Sequence, residues 1–153
     1  MAIRRDDFPL PDLSDPLTAP YFTAAAAGEL RVPRCSRCER FVWYPSATCP
    51  RCGATEMPWT RVSGRATLFS WAVVRRAFLP AFADRVPFVS GLVEIVEDPT
   101  VRLVGFVVDV EPELLVPDEP VEAVFRPLSF PTVPGRSVPV PMFRPVGAAT
   151  SSP

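Results

Sequence analysis

The arrangement of its cysteines constrains this sequence more than any other feature. All four fall in one short stretch, at Cys35, Cys38, Cys49 and Cys52, with the spacing C-x2-C-x10-C-x2-C. Each C-x2-C pair can turn two thiolates toward one point, and two pairs together complete a tetrahedral site with four sulfur ligands. Four protein ligands leave no coordination position for water or substrate. The spacing therefore predicts a zinc ribbon whose Zn²⁺ is structural.

Three other interpretations of the cysteines are two disulfides, a redox dithiol and a rubredoxin-like iron site. The first residues of the chain have no apolar stretch after their arginines, and no apolar run approaches the roughly 18 residues of a membrane-spanning helix. We therefore expect a cytosolic protein, in which thiols stay reduced and paired cysteines more often hold a metal. Two neighbouring C-x2-C pairs also argue against a thioredoxin-like motif. Iron remains the main alternative to zinc.

The residue types that are absent limit the chemistry of the chain. Its 153 residues contain neither His nor Lys, so it has no imidazole base, no His ligand and no Schiff-base amine. The clustering of the four cysteines argues against a free thiol nucleophile. The formal net charge of -1 gives no basic footprint for nucleic acid or an anionic membrane. We therefore do not expect a self-sufficient enzyme.

One helix is predicted, close to the start of the chain. It runs over residues 15–27, with Asp15 as its cap, Pro16 at its first position and Gly28 at its end. Pro20 falls inside this pattern, so the helix is either in two pieces or begins only there.

Beyond Trp59 the apolar residues alternate with period two in short segments, which is typical of strands. Strands are predicted near 65–76, 87–97, 101–110, 120–126 and 138–144, with a turn over 97–100. Five strands with short connections indicate an OB-fold barrel. The predicted class is thus mainly β: a lead-in and helix at 1–28, the ribbon at 29–60, the barrel at 61–146 and a disordered tail at 147–153.

Two predicted connections are unusually apolar for loops, which normally face water. One spans residues 78–85 and the other 127–135. Their large side chains either fold back over the open end of the barrel or contact a partner or an acyl ligand. Arginines beside the first loop suit the phosphates of CoA, although they are equally explained as solvated surface charges. The candidate ligand- or partner-contacting residues are Phe78, Leu79, Phe82, Arg75, Arg76 and Phe130.

Carboxylates on the strands are the remaining candidates for chemistry of the chain's own. Glu94, Asp109 and Glu122 could serve an independent hydrolase or lyase. Glu94 interrupts an apolar strand, and alternation places it on the face opposite Val93 and Ile95. An exposed carboxylate is therefore the simpler interpretation.

Zinc ribbons and OB-folds also occur in single-stranded nucleic-acid-binding modules. Trp71, Phe69 and Phe106 could stack on bases, but aromatic residues on strands more often belong to a core. The neutral net charge disfavours this alternative.

The order of motifs resembles one family in particular. A helix ending at Gly28-Glu-Leu30 precedes the cysteines, Trp59-Thr-Arg-Val-Ser-Gly64 leads into Leu68-Phe-Ser-Trp71, and Phe143-Arg-Pro145 closes the chain. Between them lie Pro87-Phe-Val, Val93-Glu-Ile, Val101-Arg-Leu and Pro120-Val-Glu-Ala-Val-Phe125. Over residues 15–146 this order resembles acyl-CoA-associated OB-fold proteins with a rubredoxin-like zinc ribbon.

The resemblance implies an accessory role. Members of that family occur beside, or fused to, thiolase-like enzymes and acyl-CoA hydratases, and one group is the OB-fold partner of a thiolase-like aldolase that shortens steroid side chains held as CoA thioesters. It implies a non-catalytic subunit that binds and stabilises such an enzyme, in a heterotetramer with two copies of each chain. A stand-alone acyl-CoA-binding protein is the alternative.

Overall fold

The structure is a computed structural model that describes residues 5–148. The start of the predicted lead-in and the predicted disordered tail from residue 149 onward lie outside the described residues. The secondary structure comprises helix α1 (Ala19–Ala26), strands β1 (Leu30–Pro33), β2 (Trp59–Val62), β3 (Arg65–Val74), β4 (Phe88–Ile95), β5 (Asp98–Val107), β6 (Glu119–Ser129) and β7 (Ser137–Pro145), and 3-10 turns at Pro80–Phe82 and Pro112–Leu114. No helix within residues 5–148 is long and apolar enough to cross a membrane.

Strands β3 to β7 form a closed barrel in the order β3-β4-β5-β7-β6. All neighbours are antiparallel except β5 and β7, and pairing of β3 with β6 closes the barrel. This confirms the predicted five-stranded OB-fold. Closure leaves no free sheet edge among these strands, which removes a common route to aggregation.

Two predicted strand boundaries were wrong for identifiable reasons. Strand β5 begins at Asp98 rather than residue 101, because the tight turn is at Val96 and Glu97 and a register shift opposite Ile95 accommodates Pro99. Strand β6 continues to Ser129 rather than ending at residue 126. Its last residues pair with β7 in an unbroken register, so Leu128 lies on a strand and not in a loop.

The barrel wall packs against one hydrophobic core on its inside and against a second on part of its outside. Alternating residues of each strand fill its interior, where Leu68, Val93, Leu103, Val121 and Phe143 are fully buried. The opposite faces of β5, β6 and β7 carry a second core, with buried Leu10, Leu128, Phe130, Val138, Val140 and Met142. Because the lead-in and α1 pack on this outer face, these strands are covered on both sides.

Helix α1 does not cover the full range of residues 15–27 but agrees with the predicted alternative of a start near Pro20. It begins at Ala19, so Pro20 falls in its first turn, where a missing N–H costs nothing. Asp15 does not cap the helix but closes the preceding turn, where its carboxylate accepts a hydrogen bond from the N–H of Leu17 at 2.9 Å. Gly28 ends the helix as predicted, at φ +72°.

The ribbon is joined to the barrel by shared packing. Strands β1 and β2 pair antiparallel from Leu30 opposite Val62 to Pro33 opposite Trp59, and the cysteines lie on the excursion between them. Leu30, Val32 and Val62 are buried in the same core as the barrel interior. The metal centre therefore extends from a base fixed to the OB-fold.

Candidate metal centre and functional surfaces

The four cysteine sulfurs converge on one point. All four lie within 4.8 Å of one another. The Sγ atoms of Cys35 and Cys52 are 3.5 Å apart, and those of Cys38 and Cys49 are 3.7 Å apart. A tetrahedron with Zn–S bonds of 2.3 Å has S–S edges of about 3.8 Å. The thiols are thus spaced to hold one tetrahedral metal ion.

The two C-x2-C pairs adopt the same turn. The N–H of Glu39 donates to the carbonyl of Cys35, and that of Gly53 donates to the carbonyl of Cys49, both at 2.9 Å. Glu39 and Gly53 occupy the left-handed region, at φ +59° and +73°. Gly53 adopts this conformation at no steric cost, whereas Glu39 adopts it with some strain. The two pairs therefore keep the same turn and the same site, although one is followed by Glu39 and the other by Gly53.

Backbone hydrogen bonds prepare two of the metal-free thiols to ionise. The N–H of Cys38, joined by that of Arg37, lowers the pKa of Cys35 to about 6. The N–H of Cys52 similarly lowers the pKa of Cys49. At Cys52 the N–H of Ala54 acts to lower the pKa, but desolvation and the neighbouring thiols outweigh it and raise the pKa to about 11. A divalent cation overcomes this difference by binding all four as thiolates.

The first apolar loop is anchored and exposes its tip. Phe82 packs against Phe88 and Phe130, with ring centroids 5.7 and 5.0 Å apart. Phe130 is 4% exposed. Phe78, in contrast, is 86% exposed, and Leu79 is 39% exposed. Of the four apolar candidates, Phe82 and Phe130 thus belong to the second core, while Phe78 and Leu79 remain accessible.

The arginines near this loop do not converge on one partner. Arg75 forms an ion pair with Glu113 at 3.0 Å. Arg76 is exposed and makes no hydrogen bond or ion pair with residues 5–148. Arg85 holds the loop in place, because its Nη2 donates to the carbonyl of Ser129 at 2.7 Å and its guanidinium lies over the ring of Phe130. These contacts do not form a common phosphate site.

The three carboxylates considered for catalysis are all ion-paired. Glu94 binds Arg102 at 2.9 Å on the outside of the barrel, as the strand alternation predicts. Asp109 is bound by Arg126, and Glu122 by Arg144. Each carboxylate is therefore engaged by a guanidinium, and the three ion pairs involve three different arginines.

The aromatic residues considered for nucleic-acid stacking point in different directions. Phe69 lies at a bulge of β3 with the guanidinium of Arg102 3.8 Å from its ring centre. Trp71 packs against the interior core, whereas Phe106 packs in the second core. They do not form a stacking platform.

An apolar cleft was missed at the sequence level. It has a volume of about 450 Å³ and lies where the ribbon and α1 meet the outer face of β5 and β7. Aromatic residues from three segments line it: Tyr21 and Phe22, Trp43 and Tyr44, and Phe106. Burial raises the pKa of Tyr21, so its hydroxyl stays neutral. The run Trp43-Tyr-Pro45 is the one sequence signal that could have indicated this cleft.

The fold and the metal centre define a two-domain protein with a zinc-ribbon and an OB-fold module. Residues 22–58 match the family model described as the ChsH2 rubredoxin-like zinc ribbon domain, and residues 59–126 match that of the ChsH2 C-terminal OB-fold domain. The two matches are contiguous over residues 22–126, so this chain carries both of the domains that these family models describe. The zinc-ribbon match confirms the predicted ribbon, and the spacing of the sulfurs fits a tetrahedral zinc ion.

Solved structures agree with this assignment. One described as "Ltp2-ChsH2(DUF35) aldolase" superposes with a TM-score of 0.74 at 27% identity, over 88% of this chain and 98% of that chain. A DUF35-family protein of unknown function from Sulfolobus solfataricus superposes with a TM-score of 0.53 at 14% identity, over 88% of each chain, and supports the fold alone. The curated proteins gave no significant match.

Proposed function

We propose that this chain is the non-catalytic accessory subunit of an aldolase whose partner chain is thiolase-like. The observation that carries the proposal is the similarity to the ChsH2 chain of an Ltp2-ChsH2 aldolase, which extends over 98% of that chain. By the same resemblance we propose that the complex cleaves CoA thioesters, with steroid side chains as the substrate class, and that it is a cytosolic heterotetramer with two copies of each chain.

The side chains of the described residues support an accessory role. The four thiols are committed to one metal centre, and the candidate carboxylates are held by arginines. The chain has no His or Lys to serve as a base or to form a Schiff base. We infer that the partner supplies the catalytic groups.

The tip of the loop over residues 78–85 is a contact that we assign to the partner. Phe78 is almost fully exposed on a loop that Phe82 and Arg85 fix to the barrel. A rigidly presented aromatic side chain loses little entropy when it is buried at an interface. Arg76, which has no hydrogen-bond or ion-pair partner among residues 5–148, would form the polar edge of this contact.

Co-expression with a thiolase-like enzyme from the same organism tests the proposal. We expect the two chains to co-elute on size exclusion with a mass of two copies of each, and aldol cleavage to require both. A Cys49→Ser variant serves as the comparison, because it disrupts the ribbon. If the enzyme is soluble and fully active without this chain, the accessory role is wrong. Comparing steroid and straight-chain CoA thioesters then tests the substrate class separately.

A further inference from the structure

We propose that the apolar cleft between the ribbon, α1 and the outer face of β5 is a docking site for the aldolase partner. The segment that it receives is uncharged, inserts an apolar side chain and presents a main-chain carbonyl to the indole of Trp43. This inference rests on the proposed function and assigns to it a second surface, whose lining does not include Phe78 or Leu79.

The lining of the cleft has the composition of an interface centre. Interface cores are rich in Tyr, Trp and Phe and poor in charge. Five aromatic side chains line this cleft, and the charged residue among its lining residues is Asp12. That carboxylate already accepts hydrogen bonds from the N–H and the hydroxyl of Ser14 and lies 3.5 Å from Arg5. The surface is therefore suited to an uncharged segment.

The rim of the cleft favours a protein over a small molecule. Tyr44 is 68% exposed and Val104 is 56% exposed, and both border the cavity. A small ligand inside the cavity would leave these side chains in water. A polypeptide that fills the cavity also covers its rim, and this removes apolar surface from solvent in proportion to the area buried.

The indole N–H of Trp43 provides the directional element. This nitrogen is shielded from solvent and has no hydrogen-bond acceptor within the described residues. An unsatisfied buried donor is costly, and a water molecule cannot reach it as the chain stands. The ring of Tyr44 packs 5.5 Å from that of Trp43 and is mostly exposed, so its displacement sacrifices little packing. We infer that the Tyr44 ring covers this donor, so that a partner segment which displaces the ring can bring a carbonyl to it.

A matched pair of valines tests the location of the docking site. Val104 borders the cleft, whereas Val96, with 52% exposure, lies at the turn between β4 and β5 and lines a different groove. Both tolerate a charge in the free chain because both are exposed. We expect Val104→Glu to weaken binding to the partner at least about tenfold, since it buries a charge, and Val96→Glu to leave the affinity within about twofold.

A Trp43→Phe variant tests the hydrogen bond. It removes the donor and keeps an aromatic ring, so in the free chain the loss of the unsatisfied donor should offset part of the packing that the smaller ring gives up. If a partner carbonyl accepts from the indole, the affinity should fall about three- to tenfold. Unchanged affinity would overturn the hydrogen bond.

Titration calorimetry with the intact partner separates failure of this inference from failure of the proposed function. If the wild-type chain does not bind the enzyme, the accessory role itself is wrong. If it binds and Val104→Glu binds equally well, the role stands and the cleft is not the docking site. Equal loss in Val104→Glu and Val96→Glu would also overturn the assignment, because the effect would not be localised.

Discussion

The carboxylate of Asp109 accepts hydrogen bonds from both terminal nitrogens of the Arg126 guanidinium, one of them at 3.0 Å. Asp109 lies just after β5, and Arg126 lies on β6, so this bidentate pair reaches across β7, which separates the two strands. The carboxylate is 6% exposed, and Arg144 on β7 approaches it at 3.9 Å. Asp109, a catalytic candidate in the sequence, therefore forms an ion pair that links two strands of the barrel.

Replacement of Asp109 should destabilise the barrel. We expect Asp109→Ala to cost about 2–3 kcal/mol in the free energy of unfolding, because it leaves a half-buried guanidinium without its partner. Asp109→Asn should cost less, about 1–2 kcal/mol, since Asn also tolerates the left-handed φ of +59° at this position. Urea denaturation measures both. Equal losses in the two variants would show that the charge, and not the backbone conformation, accounts for the effect.

Truncation of Phe130 should lower the stability of the chain strongly, whereas truncation of Phe78 should hardly change it. Phe130 is 4% exposed in the second core, so Phe130→Ala should cost about 3–4 kcal/mol through lost contacts and a cavity. Phe78 is 86% exposed, and Phe78→Ala should change the stability by no more than about 0.5 kcal/mol. Thermal and urea unfolding test the pair. A large loss at Phe78 would mean that the loop tip is packed against the chain rather than available to a partner.

Gly91 on β4 has no room for a side chain inside the barrel. A Cβ placed there would overlap a methyl group of Val107 and lie 3.2 Å from the Cδ1 of Leu68. Gly91→Ala should therefore cost about 1–3 kcal/mol through overpacking. Adding Val107→Ala should relieve the clash and give a favourable coupling of at least about 1 kcal/mol in a double-mutant cycle, with Val107→Ala alone as the reference. Strict additivity would contradict a direct steric conflict.

The geometry of the metal centre predicts which metal the protein contains and how far that metal orders the ribbon. We expect one zinc ion per chain and a colourless protein, because Zn²⁺ has a filled d shell and iron in a four-sulfur site absorbs visible light. Removal by a strong chelator should raise amide exchange over residues 34–58 more than in β4, whose core lies inside the barrel. For the ligand variant Cys49→Ser, the control is Ser46→Ala, which changes the same segment without removing a metal ligand. Iron at one equivalent, or unchanged exchange in the metal-free chain, would contradict this assignment.

Glu97 should give the link between ribbon and barrel a weak pH dependence. Desolvation acts to raise its pKa, but hydrogen bonds from Ser63, whose N–H lies 2.6 Å away, outweigh it and lower the pKa. A depressed carboxyl pKa contributes stability above the unfolded value, near 4.5, and this is lost as the pH falls through the folded value. Glu97→Gln should thus be less stable than wild type by under about 1 kcal/mol at pH 7, with the difference shrinking as the pH falls below the unfolded value. A constant difference would exclude the carboxylate as its source.

The sequence alone predicted the parts of this protein that depend on neighbouring residues. The C-x2-C pairs bring their thiols together through local turns, so the ligands of the metal centre follow from their spacing. The alternation around Glu94 placed that carboxylate outside the barrel, and Gly28 ended the helix where expected. Of the helix starts that the sequence left open, the one at Pro20 agrees with the observed start at Ala19, whereas Asp15 closes the preceding turn instead of capping the helix.

The second core and the cleft required the tertiary structure. Strand β7 carries apolar residues on both of its faces. Its sequence therefore indicates that both faces are covered but does not reveal which segments cover the outer one. Phe78 and Phe130 look alike in sequence, and long-range packing exposes one and buries the other. Trp43 packs against the barrel core because the base of the ribbon shares that core, at a sequence distance that no local pattern spans. The chain thus encodes its metal centre locally, whereas its proposed docking surfaces arise only when distant segments pack together.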